Sequence, residues 1–239
     1  MTVGIRFHAS IAAALALGIL SCLAAASPLR AQSPDDGSWQ GTPWEQRMGV
    51  PYFEKRAGQG DAEAAYRLGR LYQQGVGKNR NLAEALSWYR KAAELGHPLG
   101  QFKTGLLLES GEAGELGLAE AAKWYEAAVE QGVVPAAFNL ARFYENGSGV
   151  PEDPGKAAAL YEIAARAGIA TAARNLGNLC LLGRGVAQDK IEALAWLLVA
   201  KQGGASGAAT LRDDLEEQLD EAGRNKAATR AKSLGARNG

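Results

Sequence analysis

A period of 36 residues runs through the centre of this chain and restricts its fold more than any other feature. Trp88-Tyr89 recurs as Trp124-Tyr125, Leu160-Tyr161 and Trp196-Leu197. Gly75 recurs as Gly111, Gly147 and Gly183, and Gly77 as Ala113, Gly149 and Gly185. Gly96 returns as Gly132, Gly168 and Gly204, while Ala85 and Ala92 each return three times at the same step. No insertion breaks the register. Several independent series holding one period over four copies require a repeat architecture, in which each unit buries its apolar face against its neighbours.

Each copy reads as two helices, so the chain is all-α. In the first copy, helix A is expected over 61–74 and helix B over 82–95. Asp61 suits the N-cap of helix A, and Ala64, Ala65, Leu68, Gly69, Leu71 and Tyr72 fall on one face at helical spacing. Gly69, repeated as Gly105, Ala141 and Gly177, is small enough for two helices to approach closely. Gly75 stops helix A, because glycine takes positive φ without a steric penalty. Asn81, Asp153 and Asp189 stand one period apart where helix B needs a cap. The second copy has Gly117 there, so its helix B should begin less firmly. Tyr52-Phe53, Ala57 and Gly60 extend the pattern back by half a unit, which makes 44–58 a capping helix B. Leu211, Leu215 and Leu219, spaced by four on a charged segment, read as an amphipathic helix covering the last repeat, with a short helix over 225–234 after it.

The pattern L-G-x-L-Y-x-x-G-x-G, followed by A-x-x-W-Y-x-x-A-A-x-x-G, resembles the Sel1-like repeat, a relative of the tetratricopeptide repeat. Leu68-Gly69-Arg70-Leu71-Tyr72, Gly75-Val76-Gly77 and Trp88-Tyr89 through Gly96 carry the match. Gly147-Ser148-Gly149-Val150 with Asp153, and Gly183-Arg184-Gly185-Val186 with Asp189, repeat it. The second copy departs most, with Thr104-Gly105, Leu108 and a turn of Gly111-Glu112-Ala113-Gly114. The resemblance implies a right-handed α-solenoid of 36-residue helix-turn-helix units used for protein–protein contacts. A cysteine-rich branch of the family is linked to β-lactam binding. This sequence lacks the paired cysteines of that branch, so the activity is not carried over.

The expected organisation is a signal peptide over 1–31, then a leader and capping half-repeat over 32–60. Repeats follow over 61–96, 97–132, 133–168 and 169–204, with a capping helix and tail over 205–239. The first thirty residues carry one early basic residue, Arg6, and an apolar run over 11–26 interrupted only by Ser21. That run is shorter than the ~20 residues of a spanning helix and reads as the h-region of an export signal. Cleavage after Ala31 is preferred to cleavage after Ala26. Lipidation at Cys22 in Ile19-Leu20-Ser21-Cys22 is a less favoured alternative, since Leu20 fits poorly just before the cysteine, and an uncleaved anchor is another. A periplasmic location is therefore expected, with membrane attachment only if Cys22 is lipidated or the signal is retained.

The chain has 239 residues, with 26 basic against 26 acidic side chains and a net charge of zero. Removal of 1–31 takes away Arg6 and Arg30 and no acid, leaving −2. Neither balance supports nucleic-acid binding. Only one Cys and one His would remain, so neither an intramolecular disulfide nor a His-rich metal site is expected. Cys180 falls at the inward position of helix A that Tyr72 and Tyr144 occupy, which makes it core and not a nucleophile. His97, with no local carboxylate or Cys at ligand spacing, reads as a surface turn residue. The Gly-x-Gly turns lack the Gly-Lys-Ser/Thr ending of a phosphate loop. No catalytic residue and no cofactor is expected.

What remains is the helix-A surface. Positions 63, 66, 67, 70, 73 and 74 are expected to point away from the core. Their equivalents give the ladder Tyr66, Phe102, Phe138, Arg174 beside Arg67, Lys103 and Arg70, Arg142. These eight residues are the candidate contacts for a partner segment with acidic and apolar residues, since Tyr and Arg are favoured interface anchors. The alternative is that Tyr66, Phe102 and Phe138 pack between helices. The preferred function is a non-catalytic adaptor that binds another envelope protein. A hydrolase acting on cell-wall fragments or β-lactams, and a purely structural spacer, are the alternatives.

Overall fold

The computed structural model describes residues 42–235. The expected signal peptide over 1–31, the cleavage sites considered at Ala26 and Ala31, Cys22, and the expected leader up to residue 41 lie outside the described residues.

Among the described residues every regular element is helical. A π-helical turn, Glu45–Gly49, runs into α1 (Val50–Gly58). Then come α2 (Ala62–Gln74), α3 (Leu82–Glu94), α4 (Pro98–Ser110) and α5 (Leu118–Glu130). They are followed by α6 (Val134–Asn146), α7 (Pro154–Arg166), α8 (Ala170–Leu182) and α9 (Lys190–Gln202). Each of these eight has 13 residues, so the period in the sequence is a period in helix length. Two further helices, α10 (Ala208–Gln218) and α11 (Glu221–Gly235), end the array.

The caps explain where helices begin. Asp61 accepts from the Ala64 amide, Asn81 from Glu84, Asp153 from Lys156, and Asp189 from Ile191 and Glu192. Such a bond satisfies an amide that has no partner inside the helix and is worth ~1 kcal/mol. Gly117 offers no side-chain cap to α5, as its lack of a side chain requires. Helices A stop at Gly75, Gly111, Gly147 and Gly183, all left-handed with φ between 66 and 73°. The loop to helix B is then closed by one recurring bond. The amides of Asn81, Gly117, Asp153 and Asp189 donate to the carbonyls of Tyr72, Leu108, Tyr144 and Cys180.

Within a repeat, helix A packs on helix B through a glycine–tyrosine contact. A Cβ on Gly69 would lie 2.4 Å from the Tyr89 ring, and one on Gly105 would lie 2.6 Å from the Tyr125 ring. Tyr89, Tyr125 and Tyr161 are fully buried, and Leu197 takes the same place in the fourth repeat. Between repeats the second glycine of the turn reaches backbone. A Cβ on Gly149 would meet the Leu118 carbonyl carbon at 2.4 Å, and one on Gly185 would meet that of Pro154 at 2.2 Å. These two glycines seat the A–B turns of the third and fourth repeats against the start of the preceding helix B.

At the C-terminal end, α9 packs against both α10 and α11. Leu215 is buried as expected, but α10 ends at Gln218, so Leu219 lies just past it. The last helix is longer than the short 225–234 segment expected. It runs over 15 residues, buries Ala227, Ala231 and Leu234, and ties back to α9 through paired Arg230–Glu192 hydrogen bonds. Its apolar stripe is mostly alanine, which leaves a faint signal in the sequence. No described helix is long and apolar enough to cross a membrane.

Candidate partner-binding face on helix A

The aromatic ladder does not stand out from helix A as expected. Tyr66 is only 5% exposed, lies 5.7 Å from the Tyr89 ring and stacks on His97 at 4.5 Å. Phe102 and Phe138 are half-buried, 6.0 Å from Tyr125 and 5.9 Å from Tyr161. The three rings therefore cover the helix-B tyrosines, and only parts of Phe102 and Phe138 reach solvent. A residue one position before an exposed arginine on a helix sits about 100° round from it, which turns this column toward the neighbouring helix.

Of the charged residues, Arg67 and Arg142 face outward, whereas Arg70, Lys103 and Arg174 are half-buried. Arg142, 46% exposed, pairs with Glu109 of the preceding helix A at 3.3 Å. Arg67, 45% exposed, pairs with Glu63 at 2.6 Å and with the buried Glu45 at 3.3 Å. The Arg70 guanidinium sits 6.0 Å over the Tyr66 ring. Arg174 donates to Asn175 Oδ1 and to the Ser206 carbonyl, which ties the fourth repeat to the C-terminal cap. Lys103 is half-buried on the same face.

A second polar column lies behind these cations. The hydroxyls of Tyr89, Tyr125 and Tyr161 donate to Gln73, Glu109 and Glu145 at 2.6, 2.6 and 2.5 Å. Burial raises the Tyr125 and Tyr161 phenols well above their ordinary range, and the adjoining carboxylates raise them further. Both therefore remain protonated donors. Asn139, from the next helix A, donates to the Tyr125 hydroxyl at 3.3 Å. Glu109, Tyr125, Asn139 and Arg142 thus form one network across the second and third repeats. Outside this face, Tyr144 donates to Glu126 at 2.6 Å, and its phenol is pushed up to about 12 by burial and that carboxylate. The Tyr–carboxylate pairs were absent from the expected site, although the series Gln73, Glu109, Glu145 shares the 36-residue step.

His97 is not a plain surface turn residue. Its Nδ1 accepts from the Gly100 amide at 3.0 Å and caps α4, while Nε2 lies 3.0 Å from Glu63 Oε2. Since Nδ1 accepts, Nε2 carries the proton and donates to the carboxylate. The bond from His97 holds the Glu63 carboxyl down to about 2, with partial burial opposing it and Arg67 assisting. A depressed carboxyl stabilises the fold above its ordinary value of 4.5, and that contribution fades as pH falls toward 2. The stability advantage of the natural chain over Glu63→Gln should therefore shrink steadily from pH 5 to pH 2.5 in chemical denaturation. A constant difference between the two would contradict this assignment.

Cys180 is 5% exposed, and burial pushes its thiol up to about 11, which disfavours the nucleophilic thiolate. Among the described residues no cluster of His, Cys, Asp and Glu could hold a metal ion. The groups this face presents are paired guanidiniums, side-chain amides and partly covered rings.

The same regularity fixes the family. The family model for the Sel1 repeat matches residues 62–97, 98–133, 134–169 and 170–204, well over half of the chain. The chain is a Sel1 repeat protein. It is similar to the crystal structure of a Sel1 repeat protein from Oxalobacter formigenes. The two are 30% identical over 77% of this chain and 75% of that one, with a TM-score of 0.59. It is also similar to c5321, a protective antigen present in uropathogenic Escherichia coli strains and displaying an SLR fold. That match has 26% identity, covers 79% of this chain and 48% of the antigen, and has a TM-score of 0.50. This Sel1 protein thus spans about half the length of that antigen. No curated protein matches it. The right-handed solenoid of 36-residue units is the fold of the family. Sel1 repeats mediate protein–protein contacts and typically serve as non-catalytic scaffolds.

Proposed function

We propose that this Sel1 protein is a non-catalytic adaptor of the cell envelope that binds a segment of another envelope protein along its helix-A face. The observation that carries the reading is the fixing of Arg67 and Arg142. Each is about half exposed, yet each pairs with a carboxylate from a neighbouring element, Arg67 with Glu45 and Arg142 with Glu109. A guanidinium ordered before binding loses less side-chain entropy on association, so it offers more net affinity to a partner's neutral polar or aromatic group. Half-covered Phe102 and Phe138 supply apolar surface between the two cations. The apolar run over 11–26 supports the envelope location, and in this reading the leader is removed by cleavage after Ala31.

The test is in-cell photocrosslinking from residue 142, with a probe at the exposed helix-B residue Lys123 as control. Arg90 is unsuited as a control because it bridges Glu115 and Glu120 of the second repeat. One envelope protein captured from position 142 and lost from position 123 is the expected result. Equal capture from both positions, or none from 142, would sink the reading. Replacing Arg67 and Arg70 by Glu is not a clean alternative, since it leaves Glu45 facing a second carboxylate and removes the guanidinium over Tyr66.

A further inference from the structure

At the N-terminal end of the helix-A face, a cavity of about 360 Å3 opens between the capping helix and α2. Trp44, Tyr52, Phe53 and Ala64 form its apolar wall, and Arg56, Asp61, Glu63 and Arg67 its polar rim. Its size falls at the lower end of small-ligand pockets. The three rings meet edge to face, with centroids 5.1, 5.9 and 5.2 Å apart and planes near perpendicular. Trp44 and Tyr52 are 45% and 43% exposed, which is unusual for rings of this size.

The charges around the cavity narrow what it can hold. A cation would normally be drawn to such rings. Here that role is filled, because Arg56 lies 5.8 Å over Tyr52 and Arg67 lies 5.7 Å over Phe53. An added cation would face both guanidiniums. An anion would face Asp61, which pairs with Arg56, and Glu63, which pairs with Arg67. The rim is thus internally neutralised, and a charged guest would lose water without gaining an unpaired partner. A neutral flat group gains on both sides: ring edges from Trp44 and Tyr52, and guanidinium planes kept still by their carboxylates.

We propose that this cavity takes a neutral aromatic side chain, the anchor of the same partner segment. The assignment of that side chain to a partner rests on the adaptor reading above, since Glu63 and Arg67 belong to both the cavity and the helix-A face. Aromatic anchors seated in preformed pockets are what dominate many interfaces.

The test uses the full chain and small probes. N-acetyl-phenylalaninamide and N-acetyl-tryptophanamide are titrated while the Trp44 indole N–H is followed by NMR. That signal is assigned by its loss in Trp44→Phe. Saturable shifts with dissociation constants in about the millimolar range are expected, as suits ligands of this size. N-acetyl-leucinamide and N-acetyl-lysinamide should bind roughly fivefold more weakly, the scale of an exposed ring–guanidinium contact. Tyr52→Ala, at a half-exposed position, should abolish the shifts while leaving the thermal transition in place. No shift in the full chain, equal shifts with the leucine amide, or shifts that survive Tyr52→Ala would each overturn the proposal. Aromatic binding at Trp44 without capture from residue 142 would support the cavity and remove the adaptor reading alone.

Discussion

Gly149→Ala is expected to lower the unfolding free energy by about 3 kcal/mol, whereas Gly132→Ala should cost about 1 kcal/mol. Both glycines are left-handed, at φ of 70 and 81°, so both substitutions carry the strain of a side chain in that region. Only Gly149 is also pressed against backbone. Its added Cβ would lie 2.4 Å from the Leu118 carbonyl carbon, while the same atom on Gly132 meets nothing within 4 Å. Leu118 and Ala119 form the first turn of α5 and cannot yield as a flexible side-chain tip would. Gly185→Ala, against Pro154 at 2.2 Å, should behave like Gly149→Ala. Urea denaturation followed by circular dichroism measures the difference. Equal losses at the two sites would mean that the repeats do not depend on this approach.

Tyr125→Ala should be the more damaging change, at about 3–5 kcal/mol for truncating a fully buried aromatic residue. Its ring fills the space left by Gly105 and meets Phe102 and Phe143. Its hydroxyl joins Glu109 to Asn139 across a repeat boundary. Repeats in a linear array depend on their own stability and on their interfaces, so a lesion at the centre uncouples the two sides. The second is the one repeat of the four whose helix B lacks a side-chain cap, with Gly117 opening α5. The expected readout is a urea transition that splits into two, with the C-terminal half unfolding last. Tyr125→Phe keeps the ring but loses the bonds to Glu109 and from Asn139, and should cost about 2 kcal/mol, the net worth of two hydrogen bonds, one of them to a carboxylate. A single sharp transition for Tyr125→Ala would show coupling stronger than nearest-neighbour contacts supply.

The elements most legible in the sequence were those set by local rules. Asp61, Asn81, Asp153 and Asp189 cap the helices they were expected to cap, because capping involves residues two or three positions apart. The left-handed glycines were legible for the same reason. The Gly69–Tyr89 approach was partly legible, since a small residue recurred at that step. The candidate face was harder to see. Whether Tyr66 faced solvent depended on the neighbouring helix and on His97, which lies 31 positions along the chain and stacks on it. His97 was misread because its carboxylate partner is 34 residues away, on another helix. The tyrosine–carboxylate column spans 16 residues and two helices, but its period of 36 was present in the sequence. The final helix was underestimated because alanine buries well against a helix while contributing little to an apolar pattern.

The backbone approach at Gly149 and Gly185 also bears on how a chain of this kind changes length. Each contact joins the A–B turn of one repeat to the start of the preceding helix B. The third and fourth repeats therefore each carry one half of a joint toward the preceding helix B, and the third also offers the complementary half to the fourth. A copy of residues 134–169 inserted after Ile169 would bring a Gly149 equivalent to seat on Pro154-Gly155, and a Pro154-Gly155 equivalent to receive Gly185. Nothing at either end would need to be redesigned. Growth by whole units costs such an array no new surface chemistry, whereas gain or loss of a single residue inside a turn puts every later joint out of step.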